Sequence, residues 1–175
     1  MKRNRSILAV VVLIALLAVV VYGVASAGIN KERPFKATSH EVVTSEGVFD
    51  DSDCPAVTVN AEGSGNGTHL GEFRVVRRHC FTPPDHPDFN GEVMHDGQYE
   101  ITTANGDKLW GTYSGNLQPT KFGEYGPIRG IITSPSTIDG GTGRFEDANG
   151  EYLAVSDYDL VTDEGIFEME GWITY

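Results

Sequence analysis

Residues 138–152 read IDGGTGRFEDANGEY, with Gly140, Gly141, Gly143 and Gly150 set around one arginine and one phenylalanine. Glycines so placed can cradle a phosphate, loop around a metal ion, or turn a corner between strands. A P-loop needs Lys and then Ser or Thr after its last glycine, with a helix beyond. Here Arg144 and Phe145 follow Gly143, and a strand-like run comes next. The GSGNG run at 63–67 fails the same test. An EF-hand spreads its ligands over about 12 residues, and Asp147-Ala148-Asn149-Gly150 lacks the rest of that set. The corner is what remains. Glycine supplies positive φ there, or lets backbones approach closely. Gly140, Gly141 and Gly143 are then structural. Arg144 is expected to pair with a nearby carboxylate, and Phe145 to point inward.

The second group with chemical potential is His69, His79, His86 and His95, interleaved with Cys80, Asp85, Asp88 and Asp96. These residue types ligate zinc or copper. Their spacing fits no ligand pattern, so no metal and no other cofactor is expected. G-x-S-x-G is absent, which removes the hydrolase elbow. Glu100, Tyr113 and Glu170 would serve as general acids or bases if their faces turn into an apolar interior, where desolvation raises a carboxyl pKa. On strands such glutamates more often face water. Glu100, Tyr113 and Phe145 are the residues expected to touch a ligand.

These side chains must be carried by strands. Beyond residue 33 no helical periodicity runs for three turns. Short stretches rich in Val, Ile, Thr, Tyr and Phe alternate with Gly, Pro, Asn and Asp clusters, which is the strand signature. Strands are expected near 36–43, 56–62, 69–79, 128–138 and 150–160. Two more lie in the hairpin GQYEITTANGDKLWGTYSG and one in GIFEMEGWITY. Asn105-Gly106 is a strong hairpin signal. Folding on that pair puts Tyr99, Ile101 and Trp110 on one face and Glu100, Thr102, Leu109 and Tyr113 on the other. About eight antiparallel strands without covering helices make a sandwich or a closed barrel. A last strand paired on both sides favours closure.

The N-terminus is different in kind. Lys2, Arg3 and Arg5 precede 21 uncharged positions, 7–27, that end in Ala25-Ser26-Ala27. Small-x-small is the cleavage pattern of a signal peptide, yet about 20 apolar residues also span a bilayer. Residues 1–27 therefore fit a signal peptide or an uncleaved membrane anchor. Residues 28–35 read as a linker and 36–175 as the barrel domain. In either case the domain is extracytoplasmic, secreted or anchored. Without residues 1–27 the net charge moves from −12 to −15, because three basic residues and no acid are lost. That excess excludes the basic footprint of nucleic-acid binding. Oligomeric state is not specified by the sequence.

Two cysteines in an exported chain favour a disulfide. A hairpin folded within residues 63–67 sets Cys54 opposite Cys80, at a Cα separation that a disulfide bridges.

Gly140-Gly141-Thr142-Gly143-Arg144-Phe145, followed by Ala148 and Gly150, resembles the GGTGRF-x-x-A-x-G signature of plant dirigent proteins. Those proteins share an eight-stranded, calycin-like barrel with the allene oxide cyclases. Small exported bacterial proteins of unassigned role are similar too. They pair the signature with a segment like Thr68-His69-Leu70-Gly71-Glu72-Phe73 and with Asn105-Gly106-Asp107. The resemblance spans residues 36–175. It implies a closed barrel with a cavity that shapes a small apolar ligand; the uncharged run at 7–27 is expected to form one hydrophobic helix ahead of it. Dirigent proteins steer coupling of phenolic radicals, and allene oxide cyclases hold an epoxy fatty acid during ring closure. The pocket residues of neither family match positions here, so neither activity carries over. A binding barrel is the first expectation, a cyclase or isomerase the second, and a filled structural envelope protein the third. A roomy apolar cavity would favour the first, isolated polar groups in it the second, and a packed interior the third.

Overall fold

The computed structural model describes residues 31–47, 54, 56–89 and 91–175. The expected N-terminal helix at 7–27 lies outside the described residues. Among the described residues no helix is long and apolar enough to cross a membrane.

The strands are β1 (Arg33–Gly47), β2 (Val57–Gly67), β3 (Gly71–Phe81), β4 (Met94–Thr103), β5 (Lys108–Gly123), β6 (Gly126–Ile138), β7 (Gly140–Gly141), β8 (Asn149–Asp159) and β9 (Glu164–Thr174). Their order is β4-β3-β2-β1-β9-β8-β6-β5, and β4 also pairs with β5. That last pairing closes eight antiparallel strands into a barrel and leaves no free sheet edge around it. The two-residue β7 adds to β5 opposite Leu109 and Trp110. The sandwich alternative is therefore excluded. β9 pairs with both β1 and β8, as the closure argument requires.

Period-2 alternation sets the inner face. Along β1, Phe35, Ala37, Ser39 and Glu41 are buried while Lys36, Thr38 and His40 are exposed. One end of the barrel is filled by Phe35, Leu109, Ile138, Phe145 and Ile173, all fully buried, and by Leu70 and Ala148. Phe145 comes from the 3₁₀ turn Gly143–Phe145 that plugs this end.

The hairpin between β4 and β5 departs from the sequence expectation. Its loop is Ala104–Gly106, one residue longer than Asn105-Gly106 alone. Thr103 N–H donates to Asp107 O, Gly106 N–H donates to Thr103 O, and Gly106 has φ 89°. This is a three-residue loop that ends on a left-handed glycine. It aligns Ile101 with Leu109 and Glu100 with Trp110. A one-residue register change exchanges faces. Leu109 and Tyr113 therefore join Tyr99 and Ile101 inside, and Trp110 turns to the outer surface with Glu100.

The hairpin between β2 and β3 is also displaced. It turns at Thr68–Leu70, with His69 at φ 65°, and the GSGNG glycines lie within β2. Cys80 pairs with Thr58 in the ladder. Cys54, outside the strand, still reaches it, and the two form a disulfide with Cα atoms 5.4 Å apart. The expected bridge is present, but the hairpin register that suggested it is not.

Candidate functional site

The barrel end opposite the Phe145 plug holds a cavity of about 240 Å³. Val43, Val59, Phe81, Met94, Ile132 and Phe167 supply much of its apolar wall. Polar side chains enter the same wall, among them Glu41 from β1, Arg77 and His79 from β3, and Tyr113 from β5.

Glu41 and Arg77 occupy inward positions on strands separated by β2. The pairings Glu41–Gly63 and Ala61–Arg77 put only small residues between them. A Cβ on Gly63 would come within 2.6 Å of Glu41 Cγ. The glycines of β2 thus leave room for the carboxylate to reach the guanidinium. Arg77 Nε–H donates to Glu41 Oε2 at 2.7 Å, and Ser39 Oγ–H donates to Glu41 Oε1 at 2.6 Å. The guanidinium lies 5.3 Å from the Tyr113 ring centre, 5.5 Å from that of Tyr99 and 5.6 Å from that of Phe167. Burial works against its charge, but Glu41, followed by Tyr152 and Tyr113, outweighs burial and holds Arg77 protonated well above its ordinary range. Pairing and cation–π contact are how a barrel interior tolerates such a charge.

His79 sits at a register shift between Arg78 and Cys80 in the β3–β4 ladder. Its Nδ1 is 2.8 Å from Tyr113 Oη, with the rings edge to face. Burial, then the Arg77 charge, then His95 lower the His79 imidazole to about 4. Burial pushes the Tyr113 phenol up, and Arg77 only partly offsets it. His79 is therefore neutral and Tyr113 protonated near pH 7. The pair can donate or accept a hydrogen bond but carries no charge.

The sequence candidates divide. Tyr113 lies in the cavity wall. Glu100 does not: it is on the outer surface, 2.8 Å from Lys108 Nζ. Glu170 is likewise outside, 2.6 Å from Lys36 Nζ. Phe145 points inward as expected, but at the packed end, away from the cavity lining. The error at Glu100 follows from the longer β4–β5 loop. Glu41, Arg77 and His79 were missed as cavity residues. An inward Glu41 was legible from its alternation with Phe35, Ala37 and Ser39, but its partner, 36 residues away, carries no local signal.

The histidines do not assemble. His69 bonds to Pro34 O and Tyr175 Oη, and His86 Nδ1 accepts from Asp88 N–H. His95 joins Thr82 and Asp96. Among the described residues no three His, Cys, Asp or Glu side chains converge as metal ligands.

The glycine-rich segment is a corner. Gly143 has φ 59°, and a Cβ there would run into the Asp107 carboxylate. Thr142 N–H donates to Lys108 O and Lys108 N–H to Thr142 Oγ1, both at 2.9 Å. Arg144 Nε lies 3.5 Å from Asp107 Oδ2. The two segments Asn105-Gly106-Asp107 and GGTGRF therefore meet in space, beside the Phe145 plug.

No protein-family model matches the chain, and no curated protein matches it. Among solved structures the chain is similar to the pterocarpan synthase dirigent protein GePTS1, at 15% identity and a TM-score of 0.36, over 85% of this chain and 93% of that one.

Proposed function

We propose that this protein is an exported barrel of the dirigent and allene oxide cyclase type that binds a small, mostly apolar molecule in the cavity end of its interior. The observation that carries the reading is the cavity of about 240 Å³. An apolar cavity of about 150 Å³ takes up benzene, so this one has room for a ring with a short substituent. Concave, mainly apolar pockets with a few placed polar groups are the usual form of small-molecule sites. The export part rests on the uncharged run at 7–27 ending in Ala25-Ser26-Ala27. It is supported by the Cys54–Cys80 bridge, since such bridges persist in oxidising compartments.

The test is native mass spectrometry of the full-length chain purified from its own cells, together with calorimetric titration of the neutral probe toluene, one ring with one short substituent. A co-purified small molecule, or saturable probe binding that it displaces, is the expected result. Absence of both overturns the reading.

A second reading is an isomerase or cyclase, favoured by the Tyr113–His79 hydrogen bond in the cavity wall. General acid–base work is most efficient with a pKa near the operating pH. His79 lies below that range and Tyr113 above it, which is why binding comes first.

A further inference from the structure

The inference rests on the binding reading and names what the cavity selects. A guanidinium has five N–H bonds. In Arg77, Nε–H goes to Glu41, and Nη2 has only the Met169 sulfur at 4.0 Å. Ring faces of Tyr113, Tyr99 and Phe167 occupy much of the remaining surroundings. Among the described residues no oxygen accepts a hydrogen bond from Nη1 or Nη2. A buried charged donor without an acceptor is costly. The neutral His79–Tyr113 pair spends one of its two polar hydrogens on the mutual bond and keeps one donor and one acceptor whichever way that bond runs, so the donor excess is that of Arg77. Each Glu41 oxygen already accepts one hydrogen bond, from Ser39 or from Arg77.

The charges point the same way. Glu41 cancels Arg77 at contact, and Glu46 and Asp163 also line the cavity, with no second Lys or Arg in its lining among the described residues. An incoming carboxylate meets net negative charge.

We propose that the cavity selects a neutral molecule with an apolar body and one oxygen acceptor, a ketone, aldehyde or ester, whose oxygen docks on the terminal N–H groups of Arg77. It discriminates against both the matching hydrocarbon and the matching carboxylate.

Three compounds of nearly equal shape test this: acetophenone, α-methylstyrene and benzoate. Each is titrated calorimetrically into the full-length chain. Acetophenone is expected to bind at least about tenfold more tightly than either of the others, as a charge-assisted hydrogen bond implies. The double variant Glu41→Gln/Arg77→Met removes both charges together and is expected to level acetophenone with α-methylstyrene. If that variant does not fold, Arg77→Lys, which keeps the charge but loses the fork, is expected to shrink the preference. Equal binding of acetophenone and α-methylstyrene by the parent overturns the proposal and leaves the binding reading standing. So does a preference for benzoate, or a preference for acetophenone that survives in the variants. Failure of all three to bind overturns the proposal, and the binding reading is then decided by the native mass spectrometry described above.

Discussion

Arg77 Nε sits 2.7 Å from Glu41 Oε2 inside the barrel, with both side chains more than nine-tenths removed from solvent. Removing one member leaves an uncompensated buried charge, which costs about 3–5 kcal/mol, whereas replacing both is often close to neutral. Arg77→Met is therefore expected to lower unfolding free energy by about that amount, and Glu41→Gln/Arg77→Met by distinctly less. Urea denaturation of the two variants measures this. A double variant as unstable as the sum of its single changes would show that the residues do not act as a pair.

His79 makes stability depend on pH. Its imidazole falls from the ordinary 6.5 to about 4 in the folded chain. Above pH 6.5 both folded and unfolded chains keep it neutral. As pH falls from 6.5 towards 4, the unfolded chain takes up the proton and the folded chain does not, so stability is lost across that window. Below about 4 both forms are protonated and the loss stops. The integrated effect is up to about 3 kcal/mol. In His79→Gln, which removes the titrating ring but keeps a side chain able to hydrogen-bond, this part of the slope should disappear. An unchanged difference between pH 7 and pH 4.5 would assign the slope to other groups.

The glycine corner predicts two different penalties. Gly143→Ala places a side chain at φ 59° and against the flexible end of Asp107. A cost of about 1–2 kcal/mol follows. Gly141 has no positive φ, but a Cβ on it would run into the Lys108 carbonyl oxygen and the backbone of Phe145. Backbone yields less readily than a side-chain end, so Gly141→Ala should cost more than Gly143→Ala. Melting temperatures order the two variants, and ligand uptake should persist in both wherever they remain folded. Variants that melt like the parent would mean that the corner is no constraint.

The Cys54–Cys80 bridge closes a span of 26 residues. In the loop-entropy account this stabilises the chain by about 3.5 kcal/mol. Cys54→Ser/Cys80→Ser should lose stability on that scale and keep its strand content by circular dichroism. Thiol titration of the unreduced, denatured protein should find neither cysteine reactive. Two reactive thiols would refute the bridge.

What the sequence determined by itself was local. Alternation along Phe35–Glu41 and Ile166–Ile173, with turn clusters between runs, specified strands, because a pleated backbone sends successive side chains to opposite faces. The strand count and the corner at Gly140–Phe145 followed from the same kind of signal. Tertiary structure decided which side chains meet. The extra loop residue at Ala104–Gly106 put Tyr99 and Ile101 on the same inner face as Leu109 and Tyr113 and left Glu100 outside with Trp110, and turn length is not encoded in the alternation of the strands it joins. Glu41 and Arg77 became a pair only because Ala61 and Gly63 of β2 leave space between their strands. Such packing depends on small residues of a third strand, and closure of the barrel is what turns all three inner faces towards one interior.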